Sequence, residues 1–502
     1  MLQTLSDMTD DEIDVLIESS AEEIDKIGND YQITMRLLGA TETNKNPSYF
    51  QQALMIYPEL FRDQYCRDVL KQTKASLVKQ AKAGRLRVNG EYRFISPDLY
   101  AFCEWLFLGI ENPNGLLNNG EVYCKGYKND DELACLRSPH LYCEWAVRNN
   151  KRNEELDKWF GCTNCIYTST KDLISKMLQF DCDGDKALVI KDSLLTTVAK
   201  RNMKGIVPLY YEMKKAKGGL ITSDTLYQGM SKAYVSGNIG PISNLITIVH
   251  NNSQENREEA LKAIKWLVME TNFTIDSSKT LFFLKRPKEA DTIIKRHTKS
   301  KLPNFFIYAK DKLPKQVEPP NNSTMNRIAS KIPSSRIKFS KTISKFDYRM
   351  LMNPDSDCSL SQESEIVKLY DYWNHHQYLF NTVGEDGARQ EDIYMYQKIR
   401  QQIIDDSGKS LDYIVNTLVA YLYTVRETSS KKMLWSCFGD VMYENIKNNL
   451  AKDPNNVICP ICGKRFHKKT KEIYCSDKCR TQAKISYDKK RYSTFSKQSE
   501  LT

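Results

Sequence analysis

The residues best suited to chemistry stand together in Phe180-Asp181-Cys182-Asp183-Gly184-Asp185, just ahead of the apolar run from Ala187 to Ile190. Three carboxylates at alternate positions repel one another at neutral pH, and a chain holds them cheaply when a cation neutralises them. Gly184 permits backbone conformations closed to other residues, so the loop can curl and bring the oxygens together. Converging hard oxygens suit Mg2+ (or Mn2+), which keeps open positions for water and phosphate. Such ions can activate a hydroxyl nucleophile and steady a pyrophosphate leaving group. A calcium-binding EF-hand also opens Asp-x-Asp-x-Asp, but it needs Gly at the sixth position and Glu at the twelfth. Here those positions hold Lys186 and Asp192. A solvated acidic turn is the plainer alternative; Phe180 and the apolar run argue instead for a turn anchored between buried strands.

A second constellation is Cys459-Pro-Ile-Cys462, twelve residues, then Cys475-Ser-Asp-Lys-Cys479. Two short-spaced thiolate pairs at this separation suit tetrahedral Zn2+, and four cysteines make a closed, structural site. Lys484, Lys489, Lys490 and Arg491, with Tyr487 and Tyr492, follow as a basic helix suited to phosphate contact or stacking. Cys162-Thr-Asn-Cys165 has no partner pair at ribbon spacing and reads as two thiols in an insertion. The other cysteines are mostly scattered among apolar residues, as reduced buried thiols are.

The chain has 502 residues, enough for two to four structural units. Hydrophobic residues at 41% and charged residues at 27% exclude a wholly disordered chain or a collagen-like repeat. No uninterrupted run of about 18 apolar residues exists, so the expectation is a soluble, cytoplasmic protein without a membrane span. The net charge of +10 is unevenly spread. Residues 1–30 carry ten acids against Lys26 alone, whereas residues 281–345 carry 16 Lys/Arg against 4 Asp/Glu. From Cys459 onward the balance is 12 basic to 4 acidic. Two basic regions point to a polyanion, with nucleic acid the usual one.

The elements that must position these groups divide the chain as follows. Residues 1–82 read as an acidic, mostly helical region. Residues 83–215 read as a strand-rich domain around the acidic loop, with Leu86-Arg87-Val88, Tyr92-Arg93-Phe94-Ile95, Glu121–Cys124 and Ala187–Ile190 as short strand-like runs. Residues 216–312 turn helical, with Ala260, Leu261, Ile264, Leu267 and Val268 on one stripe and Asn252 or Ser253 as the cap. Residues 313–362, rich in Pro, Ser, Asn and Lys, read as a basic flexible linker. Residues 363–452 form a further helical domain, and residues 453–502 the zinc ribbon and basic tail. The fold class is α+β.

Asp181-Cys182-Asp183-Gly184-Asp185 matches the DxDGD signature of two-barrel RNA polymerases. Further stretches sharpen the match: Gly120–Lys125, Leu136-Arg137-Ser138-Pro139-His140-Leu141, Ile239–Asn244, Thr274–Thr280 and Leu302–Phe305. Over roughly residues 35–310 the chain resembles the eukaryotic-type, RNA-dependent RNA polymerase core, in its bacterial or phage-like form. The resemblance implies a double-psi β-barrel catalytic core with helical flanking domains. It makes Asp181, Asp183 and Asp185 the Mg2+ ligands and brings Lys125, Arg137, Lys186 and Asn244 near nucleic acid or nucleotide. It implies ribonucleoside triphosphates as substrates and RNA, or for related phage enzymes single-stranded DNA, as template. The family also uses a second barrel bearing phosphate-binding lysines. The residues before Gly84 are too few and too acidic for it, so the expectation is a split enzyme whose second chain supplies that barrel. A non-catalytic nucleic-acid-binding subunit built on the zinc ribbon is the alternative from another class.

Overall fold

The computed structural model describes residues 1–137, 142–211, 218–236, 239–252, 256–280, 285–339, 345–362, 364–380, 392–427, 430–452, 456–459, 461, 465–467, 473–474 and 476–485. They fall into two units: Met1–Asp25 with Ser76–Ser335, and Lys26–Ala75 with Arg336–Thr502. The fold is mixed α and β, as the sequence suggests, but the unit boundaries cut through the N-terminal helical region rather than following it.

At the centre of the first unit is a closed barrel of six strands: β1 (Gly90–Pro97), β2 (Glu121–Cys124), β3 (Glu132–Arg137), β4 (Ala146–Asn150), β5 (Ile166–Thr168) and β6 (Lys186–Ile190). Around the ring they run β1-β5-β2-β4-β3-β6 and back to β1. Two neighbouring pairs are parallel, β1 with β5 and β2 with β4; the other four are antiparallel. Exchanging β1 with β4, β2 with β5 and β3 with β6 reproduces the same ring, parallel pairs included. Alternation in the strands sends Ile95, Val122, Cys124, Leu133, Cys135, Ala187 and Val189 into the barrel. Leu136 and Ile190 face outward, under helix Ser193–Met203 and the N-terminal segment. Asn150, fully buried, accepts from Cys124 N at 2.7 Å and donates to the Tyr127 and Lys128 carbonyls, closing the turn between β2 and β3.

Only three of these strands are evident in the residue pattern. β4 carries polar residues (Arg148, Asn149, Asn150) and β5 is three residues long, whereas β3 is apolar from Leu133 to Leu136. Leu86-Arg87-Val88 is not a strand. The acidic loop follows a short helix, Ile174–Leu178, rather than a strand. Downstream, the stripe on Arg257–Thr280 buries Ala260, Ile264, Leu267 and Val268 as its spacing requires. Asn252, however, ends a separate helix, Gly240–Asn252, and Ser253 lies outside the described residues.

Residues 313–335 are not a flexible linker. Helix Thr324–Lys331 buries Met325 and Ile328, and Val317 and Ile332 join the same core. Its cations meet the acidic N-terminus: Arg327 pairs with Asp10 at 2.7 Å and Lys331 with Asp14 at 2.6 Å. Arg201 holds Asp7 at 2.6 Å and Glu12 at 2.8 Å. The acidic segment is thus folded within its own unit, with Asp7, Asp10, Glu12 and Asp14 paired to cations there.

The second unit is a helical assembly of Tyr49–Ile56, Glu365–His375, Asp392–Ser407, Leu411–Ala420 and Lys432–Lys452 around Tyr370, Ile399, Ile414, Leu418, Phe438 and Met442. It also holds a hairpin of β7 (Asn456–Ile458) and β8 (Arg465–His467), with residues 477–485 helical. Among the described residues no helix is long and apolar enough to cross a membrane.

One buried carboxylate organises the exit from β1. Asp98 accepts from the backbone N–H groups of Tyr100 (3.0 Å), Ala101 (3.2 Å), Leu116 (2.6 Å) and Leu117 (2.9 Å). It thereby caps helix Leu99–Leu108 and ties down the loop that returns to β2. Asp98→Ala strands these donors and is expected to cost about 3 kcal/mol, read as a lower urea midpoint, with Asp98→Asn retaining part of the loss.

Candidate active site

The acidic turn is fastened at both ends. Phe180 is buried in the barrel core, and the Asp185 carbonyl accepts from Ile95 N at 3.0 Å as β6 begins. Across the turn, Asp181 N donates to Asp185 Oδ2 at 2.9 Å. Gly184 has φ +130 with open space at its Cβ position, so the requirement for glycine is one of backbone, not of room.

Arg137, the last residue of β3, is brought to this turn. Its Nε lies 2.8 Å from Asp185 Oδ2, an ion pair without hydrogen-bond alignment, and its Nη1 donates to the Gln179 carbonyl. The Asp181 and Asp183 carboxylates make no such pairing among the described residues, and both are exposed. The three acids still share a field: the Cys182 thiol is pushed up by its partial burial and then by Asp181, Asp185 and Asp183. By donor type the triad fits a hard divalent cation. By placement, no three carboxylate, imidazole or thiol groups converge among the described residues, Asp185 being turned to Arg137.

Gln179 has no counterpart in the sequence reading. It sits in the left-handed region at φ +52, uncommon for a residue with a side chain. Its carbonyl takes Arg137, and its side chain accepts from Asn272 Nδ2 at 3.0 Å. Asn272, on helix Arg257–Thr280, also donates to Tyr211 OH. Arg137, Gln179, Asp181, Tyr210 and Asn272 line a cleft of about 320 Å3 beside the acidic turn. The position of Gln179, two residues ahead of Asp181, was the available signal; its backbone state carries none, since neither Gly nor Asn marks it.

Of the other anticipated residues, Lys125 and Asn244 are not gathered here. Lys125 follows the end of β2 that points away from the acidic turn, because β2 is antiparallel to β5 and β5 parallel to β1. Its Nζ donates to the Gly161 carbonyl at 2.7 Å on that opposite rim. Lys186 lies next to the turn with its Nζ 4.4 Å from the Phe94 ring centroid. Asn244, on helix Gly240–Asn252, accepts from Lys310 at 2.6 Å and belongs to a different cleft. Ser138–Leu141, the turn after Arg137, lies outside the described residues, as do Cys462, Cys475 and residues 486–502. Cys459 follows β7, and Cys479 lies in the first turn of residues 477–485; both are buried. Cys162 is exposed and Cys165 half-buried in the loop before β5.

The chain is 44% identical over 494 residues to the DNA-directed RNA polymerase YonO of Bacillus phage SPbeta, a match spanning 97% of this chain and 57% of that protein. It therefore spans little more than half the length of the curated relative it matches. Among solved structures, the RNA-dependent RNA polymerase QDE-1 from Thielavia terrestris aligns with 90% of this chain and 56% of its own, at 12% identity and a TM-score of 0.48. That likeness is too slight to carry an argument. No family model matches the chain.

Glu144, just before β4, is buried and accepts from Leu209 N at 2.6 Å, tying the turn to the segment that lines the cleft. Burial pushes its carboxyl up to about 8, against the opposing pull of the Leu209 hydrogen bond and Lys265. A raised acid pKa contributes stability that is full below the ordinary carboxylate range and lost as pH climbs through 8. The thermal midpoint of the wild type is expected to fall between pH 5 and 8, and Glu144→Gln to flatten that slope.

Proposed function

We propose that the chain is the metal-bearing part of a two-barrel RNA polymerase, a nucleotidyltransferase that adds ribonucleotides to an RNA 3′-end with release of pyrophosphate. The observation that carries this reading is the Asp181–Asp185 turn, fastened between the barrel core and β1, in a chain 44% identical to a protein named an RNA polymerase. The exchange symmetry of the ring, with its two parallel pairs, supports assigning the barrel to the double-psi type. Among the described residues the closed barrel is that of β1–β6, so this reading assigns the lysine-bearing barrel to further polypeptide, in the same chain or another.

In this mechanism Asp181, Asp183 and Asp185 would hold Mg2+. When bound, the ion polarises phosphoryl oxygens and lowers the pKa of a hydroxyl nucleophile. Asp181 and Asp183 present exposed carboxylate oxygens for it, and Arg137 offsets Asp185 until a stronger cation arrives. Gln179 and Asn272 hold the Arg137 end of the cleft in a fixed orientation for the triphosphate or the RNA end. The relative's name favours a DNA template; the resemblance of the motifs favours RNA. In the second unit, the hairpin, Cys459 directly after β7 and the buried Cys479 support a structural Zn2+ held by Cys459, Cys462, Cys475 and Cys479.

Labelled-ribonucleotide incorporation on single-stranded DNA and single-stranded RNA tests this, with Mg2+ and beside Asp183→Ala. Loss of about 1000-fold or more in the variant is expected, with the preferred strand naming the template. Incorporation unchanged by Asp183→Ala would sink the reading. Metal analysis of the purified chain should give one Zn2+ per chain, lost in Cys459→Ser; a metal-free, folded wild type refutes the ribbon.

A further inference from the structure

The outer face of β1 carries two exposed aromatic rings, one of them, Phe94, with the Lys186 ammonium 4.4 Å from its centroid. Tyr92 is 59% and Phe94 50% exposed, while Arg93 and Ile95 between and beyond them point into the barrel. Residues two apart on a strand share a face, roughly 6.6 Å from one another. Phe94 lies opposite Lys186, the first residue after the acidic turn, and Tyr92 opposite Leu188. The pair therefore leads away from the Asp181–Asp185 turn along the outside of the barrel.

At its far end the face opens into a cleft of about 660 Å3 that Tyr92 itself lines. The floor is apolar, with Leu136, Leu188 and Ile190. The cleft holds Arg85, Arg87 and Lys310 and, among its described lining residues, no Asp or Glu. Arg87 is paired with Glu23, but Arg85 is exposed with no side-chain partner among the described residues. Lys310 reaches Asn244 at 2.6 Å and remains exposed. Cations thus flank the aromatic pair at both ends, Lys186 beside Phe94 and Arg85 with Lys310 beyond Tyr92.

We propose that β1's outer face and this cleft form a track for single-stranded nucleic acid, with bases stacking on Phe94 and Tyr92 and phosphates held by Arg85 and Lys310. The track rests on the polymerase reading for its purpose, since it starts at the turn assigned to chemistry. Exposed rings alternating along a strand are how sheet surfaces stack successive unpaired bases, and acid-free basic clefts hold the backbone. A polypeptide covering the same rings would need no excess of cations at both ends; this is why nucleic acid is favoured.

The test is fluorescence anisotropy of a labelled twelve-nucleotide oligo(rU) or oligo(dT), without added Mg2+ or nucleoside triphosphates, across a range of salt. Tyr92→Ala/Phe94→Ala is expected to weaken binding about tenfold or more while leaving the salt slope in place. Arg85→Gln/Lys310→Gln is expected to lower the slope of log affinity against log salt by about 1.4, two phosphates at about 0.7 each. All four side chains are exposed, and unchanged thermal midpoints will show that the variants fold. Wild-type affinity in both double variants overturns the proposal, as does a folded wild type that binds neither strand. A change in sedimentation with binding intact also overturns it, in favour of a protein partner. The assay contains neither added Mg2+ nor substrate, so its failure is distinct from failure of the polymerase reading, which Asp183→Ala decides.

Discussion

Three carboxylates within five residues repel one another, and the structure around the Phe180–Lys186 turn is arranged to withstand that repulsion. The barrel core grips Phe180 on one side and β1 grips the Asp185 carbonyl on the other. Arg137 comes from β3 to offset one acid and leaves two open. Without those anchors the turn could relax by spreading its charges; with them, the exposed Asp181 and Asp183 stay close to the Arg137-paired Asp185. The cleft, the Gln179–Asn272 tie and the buried Glu144 all attach to this strained centre through hydrogen bonds of the backbone or of neutral amides.

The acidic turn was legible because it is local: the spacing of Asp181, Asp183 and Asp185 and the glycine between them are visible in five letters. What surrounds the turn was much less so. Lys125 and Arg137 are both basic and both close a strand, yet only Arg137 reaches the acids. Which rim a strand ends on depends on the directions of all the strands between, and nothing within β2 records them. Gln179 was hidden for a different reason, since its left-handed backbone is imposed by Arg137, Asn272 and Leu209 from outside. β4 escaped notice because its polar residues are satisfied by partners distant in sequence, Arg148 by Asp172 and Asn150 by the β2–β3 turn, and β5 because it is only three residues long.

Composition misled most in residues 313–335, whose partner is the acidic N-terminus. Residues 313–335 are poor in large apolar residues, and the first thirty residues carry a large excess of acids. Taken together they supply each other's counter-ions and pool a few apolar residues, Leu5, Met8, Ile13, Val317, Met325 and Ile328, into one core. Charge segregation along a chain is thus no sign of disorder when segments of opposite sign can pair within one unit.

The ring order of the barrel has a consequence for how the protein is made. Every neighbouring pair in β1-β5-β2-β4-β3-β6 joins a strand from the first three to one from the last three. A nascent chain that has emerged only as far as β3 therefore owns no strand pairing at all, and its apolar faces wait unpartnered on the ribosome. Closure comes only with β6, whose synthesis follows directly on the acidic turn. Barrel assembly is consequently slow, dominated by contacts between residues far apart in sequence. No chain truncated before its acidic turn can complete the barrel, so a prematurely terminated product is left as a substrate for chaperones or proteases.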